Sequence, residues 1–268
     1  MESTMRQKID NILAFNLCGR FAHFRKFYTN ASSLSYLVPP RTVIIGLLGS
    51  ILMMPRDSYY EILGESSCKI SVSAAEGAVI KKSVHSVNML HEKYHSFLEK
   101  GKGSCANMHS QCKLELLSAG TRQSIIYRVY AAFPGSLELF EKLKAKIKSA
   151  HMGYGVYLGQ RQFRAYIDDI CTYSPEEIEF LEQSDYLDSI CLQENVVSLL
   201  NDNGENDTNI HVVVEQMPVH MKAVVSVSGQ TGREPVSVKR VLFERRGKRL
   251  YGTFKNCYRV GDKVISFY

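Results

Sequence analysis

The stretch SIIYRVYAAFPGSLELFEKLKAKIK, Ser124 to Lys148, changes its period halfway along. Up to Phe133 it alternates, with Ile125, Tyr127 and Val129 set against Ile126, Arg128 and Tyr130, which is the two-residue repeat of a strand. Pro134-Gly135 turns the chain, and Leu139, Leu143 and Ile147 then recur every fourth residue opposite a lysine-bearing face. That spacing predicts a helix over roughly 137–148.

Working outward, the same alternation of periods repeats. Asn11 to Cys18 reads as an opening strand with Leu13, Phe15 and Leu17 on one face. A helix starts at Pro39-Pro40, where proline's missing N–H costs nothing, and runs from Thr42 to about Met54. Gly46 and Gly49 on one side of it suggest close approach to a neighbouring strand. Asp57 to Leu63 is a short second helix closed by Gly64, and Cys68–Ser73 and Ala78–Met89 are strand-like. Past the glycine-rich bend HMGYGVYLGQRQF, Arg164 to Cys171 is another strand. Strand, helix, two or more strands, helix, strand is the order of an α+β, ferredoxin-like βαββαβ sheet, also used by RNA-recognition modules.

His91 to Thr121 has no clear periodicity, and about 30 residues of loop are too many for a compact core, so this segment is expected to project as a hairpin or lid. Pro175 to Leu181 reads as a short acidic helix, and NDNGENDTN, Asn201 to Asn209, as a linker with nothing to bury. Ile210–Val214, Val236–Phe243, Leu250–Phe254 and Val264–Phe267 read as strands of a smaller β unit. The expected organisation is a core over 1–173, an acidic connecting segment over 174–209 and a C-terminal β subdomain over 210–268.

Composition narrows the function classes. The 268 residues are 45% hydrophobic and 22% charged, an ordinary globular balance able to bury a core. The greasiest run, Val43 to Met54, is shorter than the roughly 18–20 residues a membrane span needs, and MESTMRQKID lacks the apolar region of a secretory signal. The expected compartment is the cytoplasm, without membrane association. Seven cysteines give no disulfide framework, Cys105 and Cys112 lack zinc-knuckle spacing, and Cys18, Cys171 and Cys191 read as buried free thiols, so no metal is expected. The bend glycines Gly153, Gly155 and Gly159 match neither GxGxxG nor GxxxxGK, so no cofactor is expected and the glycines read as sites of close backbone approach. The net charge of +6 is unevenly spread: Asp168 to Asn209 holds twelve acidic residues and no Lys or Arg, whereas Val236 to Lys263 holds nine basic and two acidic ones. A polyanion is repelled by the first and drawn to the second.

The loop GRFAHFRKFYTN, Gly19 to Asn30, interleaves Arg20, His23, Arg25 and Lys26 with Phe21, Phe24, Phe27 and Tyr28. Cations meet phosphates while exposed rings stack on unpaired bases; alternatively, Phe21 and Phe24 belong to the core and the charges are solvated. Arg41, in YLVPPRT, sits beside the free N–H groups of a helix start, a phosphate-binding combination. Arg161 and Arg164 lie just past the glycine-rich bend as further phosphate contacts.

These residues carry a family resemblance. FNLCGRFAHFRKFYTNASSLSYLVPPRTVIIGLLGSIL, residues 15–52, resembles the N-terminal signature of the Cas (five) family of the RAMP superfamily; YGVYLGQRQFRAYI, residues 154–167, resembles its second signature, and DKVISFY its usual ending. The PPRT form and C-terminal pattern are most like the type I-B subdivision. The resemblance implies a ferredoxin-like RAMP core, a thumb hairpin placed at about 91–121 and a second β region. It implies binding of the 5′ handle of CRISPR RNA, with backbone Cas subunits and the large subunit of a type I complex as partners, in an assembly that binds target DNA. Arg20, His23, Arg25, Tyr36 and Arg41 would then lie in or near the handle-binding surface.

One branch of that family cleaves precursor RNA with a tyrosine and a Lys-His pair. Tyr36 matches the tyrosine, and His85, His91, His95 and His109 are available as acid–base groups, yet no Lys-His dipeptide occurs. The expectation is a non-catalytic guide-RNA-binding subunit, with a metal-independent endoribonuclease and a general single-stranded RNA-binding protein as the alternatives.

Overall fold

A computed structural model of the chain describes residues 8–29, 33–77, 79–90, 99–101, 109–120, 123–200, 210–225 and 231–268. The expected linker, 201–209, and about half of the expected thumb, at 91–98, 102–108 and 121, lie outside the described residues.

The first half comprises β1 (Ile12–Gly19), β2 (Phe21–Ala22), β3 (Phe24–Arg25), β4 (Ser35–Tyr36), α1 (Arg41–Ile51), α2 (Tyr59–Ile62), β5 (Lys69–Ala74), β6 (Lys81–Leu90), β7 (His109–Ser118) and β8 (Ile125–Ala132). Then come α3 (Leu137–Lys148), β9 (Ala165–Tyr173), β10 (Ile178–Leu187), β11 (Cys191–Leu192), β12 (Val196–Leu199), β13 (Val212–Val225), β14 (Thr231–Glu244), β15 (Leu250–Val260) and β16 (Lys263–Ser266). The chain is thus mixed α+β with several antiparallel sheets.

Its central sheet runs β5-β8-β1-β9 with every neighbouring pair antiparallel. β1 is buried at seven of its eight positions, because both faces of this sheet are covered. One face sends Leu13, Phe15, Leu17, Tyr127 and Val129 into a core with Ile44, Leu48, Leu143 and Ile147 of the helices. The other sends Ile12, Ala14, Tyr130 and Ala132 against Val260 and Ile265 of β15 and β16. Each buried Leu, Ile, Val or Phe among these contributes about 1.5–3 kcal/mol relative to exposure.

α3 occupies the predicted residues; Ser136 caps its N-terminus, accepting from the Leu139 N–H, and Phe140 joins Leu143 and Ile147 as its buried stripe. α1 is buried almost all round, because the β13–β14 ribbon lays Met217, Val219, Val241 and Phe243 over it. Its glycines approach α2, not a strand. A Cβ on Gly49 would fall 2.8 Å from the Tyr59 ring.

β6 and β7 form a ten-residue antiparallel ribbon, of which β6 precedes the expected thumb segment and β7 lies within it. The short acidic helix expected over Pro175 to Leu181 is a single 3₁₀ turn, Pro175–Glu177, capped reciprocally by Ser174 and Glu177. From Ile178 alternation turns the chain into β10, which pairs with β15, as does β12. The open edge of β5 is closed by backbone N–H groups of Ile190 and Tyr268, donating to Val72 and Ile70.

Candidate nucleic-acid interface

The loop after β1 alternates in and out. Ala22, His23 and Phe24 are buried, with Phe24 packed edge-on to Tyr127 at 5.8 Å, whereas Phe21, Phe27 and Tyr28 are exposed. His23 faces the Glu115 carbonyl through Nδ1 at 2.7 Å and the Ser33 hydroxyl through Nε2 at 3.3 Å. Burial pushes its pKa down, against the pull of that carbonyl, so the ring is a neutral strut between the loop and β7.

Three further expected contacts are also structural. Lys26 is paired with Glu215 of β13 at 2.7 Å and lies 5.4 Å over the Tyr36 ring; burial, the largest single effect, lowers its pKa, but the hydrogen bonds and charges of Glu215 and Tyr28 together outweigh it and leave the pKa raised. Tyr36 is fully buried and donates its hydroxyl to the Gln216 carbonyl; burial raises its pKa. Arg41 is 1% exposed and donates to the carbonyls of Val219, Leu63 and Cys68 at 2.8, 2.9 and 2.7 Å. The expectation that His23, Tyr36 and Arg41 line a surface is therefore corrected: each is enclosed by chain arriving from far along the sequence. The tyrosine required by the nuclease reading is enclosed with them. His91 and His95, and the side chain of His109, lie outside the described residues; His85 is exposed beside the Ser83 hydroxyl.

Arg20, Arg25, Arg161 and Arg164 are exposed. Arg20 lies 5.7 Å over the Phe21 ring and Arg25 donates to the Thr29 carbonyl. The structure joins the two motifs that carry these arginines. Gly19 and Cys18 at the end of β1 pair with Ala165 and Tyr166 at the start of β9, and the His23 N–H donates to the Leu158 carbonyl. Gly153 and Gly159, both at positive φ, make the fit possible: a Cβ on Gly153 would overlap the Ser50 carbonyl oxygen, and one on Gly159 that of His23. Ser50 adds a hydrogen bond from its hydroxyl to the Gly155 carbonyl.

The bend so pinned opens a cleft of about 430 Å³ lined by Met152, Tyr154, Tyr157, Arg161, Arg164 and Tyr166, among others. Tyr154 and Tyr166 are 67% and 54% exposed, so their rings are open to a partner. No carboxylate and no histidine lines the cleft. Arginines beside exposed rings suit a single strand, binding phosphates and stacking bases, and offer no ordinary general acid–base pair. Three tyrosines within Tyr154–Tyr166 are the signal in the sequence for this cleft, whereas the glycine spacing points only to close backbone approach.

A larger cleft, about 600 Å³, is lined by Ser73, Arg128, Tyr130, Asp169 and Arg249, among others. Its Arg128 and Arg249 are paired with Asp169 and Asp188 at 2.8 Å, and Glu76 and Asp262 add further negative charge, so it is the poorer polyanion site. Among the described residues no cluster of three His, Cys, Asp or Glu is arranged to hold a metal ion, and no helix is long and apolar enough to cross a membrane.

The fold and cleft together define an α+β protein presenting an aromatic, arginine-lined surface. No family model and no curated protein matches the chain. Its fold is similar to that of a CRISPR protein from Archaeoglobus fulgidus, with a TM-score of 0.55 over 95% of this chain and 98% of that one, at 12% identity. A chain of a CRISPR RNA-guided surveillance complex aligns over 87% of this chain and 89% of its own length, with 13% identity and a TM-score of 0.44. A chain of a type III-B Cmr-beta complex bound to cognate target RNA aligns over 90% and 86%, with 10% identity and a TM-score of 0.42.

Proposed function

We propose that the protein is a non-catalytic guide-RNA-binding subunit of a type I CRISPR interference complex, holding the 5′ handle of CRISPR RNA and capping the backbone filament. The observation that carries this is the acid-free cleft of Tyr154, Tyr157, Tyr166, Arg161 and Arg164 beside the Arg20–Arg25 loop. Sharing the fold of a CRISPR protein supports the setting. In this reading β1, α1, β5, β8, α3 and β9 are the ferredoxin-like βαββαβ core of a Cas (five) type I-B protein, acting in the cytoplasm. The β6–β7 ribbon is the base of its thumb. Its partners are the backbone Cas subunits and the large subunit, within an assembly that binds target DNA. Arg20, Arg25, Arg161 and Arg164 contact RNA; His23, Lys26, Tyr36 and Arg41 support the surface from beneath.

The test is fluorescence anisotropy with repeat-derived handle RNA and a scrambled RNA at matched salt. Handle RNA should bind more tightly, and Arg161→Ala with Arg164→Ala should flatten the plot of log K against log salt by about 1.4, at roughly 0.7 per phosphate of single strand. Equal affinity for the two RNAs would instead make this a general single-strand binder. An unchanged slope would remove both arginines from the surface.

A further inference from the structure

A second, smaller recess adjoins the arginine-lined cleft. It holds about 200 Å³ between α1, α2, the glycine-rich bend and the β13–β14 ribbon, and Tyr157 lines both cavities. This is below the roughly 300–1,000 Å³ of sites for drug-sized ligands and suits one flat ring system. Tyr59 and Tyr60, with centroids 4.8 Å apart, form aromatic walling. Gly46 lies on the α1 side, where a Cβ would stand 3.4 Å from the Tyr59 hydroxyl, so the space exists because position 46 has no side chain.

The rim carries a held cation. Arg233 of β14 donates through Nε to Asp57 at 2.7 Å, and the Tyr60 hydroxyl donates to the same carboxylate oxygen at 3.1 Å. Asp57 is a non-glycine residue at φ +66°, a conformation that costs energy and persists only where the surroundings enforce it. Arg233 remains 41% exposed, its guanidinium fixed at one nitrogen. Aromatic walls, a glycine-made space and an oriented guanidinium at the mouth match how proteins hold an unstacked base while its phosphate stays outside.

We propose that this recess takes one splayed-out base of the RNA strand that lies in the neighbouring cleft, with Arg233 meeting the phosphate of that nucleotide. The strand passes over Tyr157 from one cavity to the other. The inference rests on the proposed single-strand binding and adds a position-specific base site to it.

The experiment is an abasic scan. A fluorescein-labelled single-stranded RNA octamer of the handle sequence is made with an abasic nucleotide at each position in turn, and its affinity is measured for the wild-type chain, Gly46→Leu, and Arg161→Ala with Arg164→Ala. Leucine fills the recess and raises helix propensity, so the fold should persist, as circular dichroism and the thermal midpoint will verify. One abasic position should weaken wild-type binding about tenfold, a typical loss for one aromatic-stacked base, and cost nothing in Gly46→Leu. The same position should still matter in the arginine variant, whose overall affinity falls. As an independent readout, 4-thiouridine at that position should crosslink to Tyr59 or Tyr60, located by mass spectrometry. If the arginine variant weakens binding but no abasic cost depends on residue 46 and no crosslink reaches these tyrosines, the base site is refuted and the RNA-binding reading stands. If the wild-type chain binds no octamer, both fall together.

Discussion

Arg41 offers the sharpest test of how the structure departs from the sequence. Its guanidinium is 1% exposed and satisfies three backbone carbonyls, from the end of α2, the start of β5 and the middle of β13. Burial pushes its pKa down from the usual arginine value, yet it stays charged at any physiological pH. Each hydrogen bond from a charged group is worth about 1.5–3 kcal/mol, and each carbonyl left dry costs about 1–3 kcal/mol. Removing the charge returns part of its desolvation penalty, so these do not simply add. With that offset, the dry carbonyls and lost hydrogen bonds leave a net loss of about 3–5 kcal/mol. At about 2–4 °C per kcal/mol for a chain near this size, Arg41→Ala should lower the thermal midpoint by about 6–20 °C. Urea unfolding followed by circular dichroism, beside RNA anisotropy below the transition, separates the two roles. Arg41→Lys should recover part of the stability, because an ammonium still reaches some of the carbonyls. A stable Arg41→Ala protein with weakened RNA binding would refute the structural assignment and restore Arg41 as a phosphate contact.

Two other outcomes follow from the supports beneath the surface. His23 has a folded pKa below its ordinary 6.5, chiefly through burial, so in mild acid the unfolded chain binds a proton the folded chain refuses. Stability is therefore full above about pH 6.5 and falls as pH drops from there through the folded value; urea midpoints from pH 8 to 5 should show this slope, and His23→Gln should flatten it. Gly159→Ala places a Cβ onto the His23 carbonyl oxygen at φ +85°, and should cost about 1–3 kcal/mol in urea unfolding while loosening the cleft; an unchanged midpoint would mean that the bend is not pinned there.

How much of this was legible in advance differs by level. The period switch at Pro134-Gly135 locates β8 and α3, and alternation locates β1, β13, β14, β15 and β16, but β13 runs on past Val214 to Val225, β15 past Phe254 to Val260, and β14 begins at Thr231 rather than Val236. Pro175 starts a single 3₁₀ turn and not the expected helix, because the Ser174–Glu177 box is followed at once by IEFLEQ of β10. The glycines of α1 are sites of close approach, as their spacing predicts, but Tyr59 of α2 and not a strand lies against them. Of the eight expected RNA contacts, Arg20, Arg25, Arg161 and Arg164 are exposed, while His23, Tyr36 and Arg41 are buried and Lys26 is held by Glu215.

The elements of this protein, its charge segregation and its basic-aromatic motifs are local properties, set by period, turn chemistry and composition, and the sequence alone determined them. Which motif side chains face a ligand was decided only in the folded chain. β13 crosses α1 carrying Val219, Gln216 and Glu215, more than 170 residues after the side chains they engage, and it turns Arg41, Tyr36 and Lys26 from surface candidates into struts. The pairing of β1 with β9 brings Arg20 to the end of the sheet that carries Arg164 and Tyr166. Burial and partnership depend on contacts between residues distant in the chain, and no window of sequence contains both sides of such a contact.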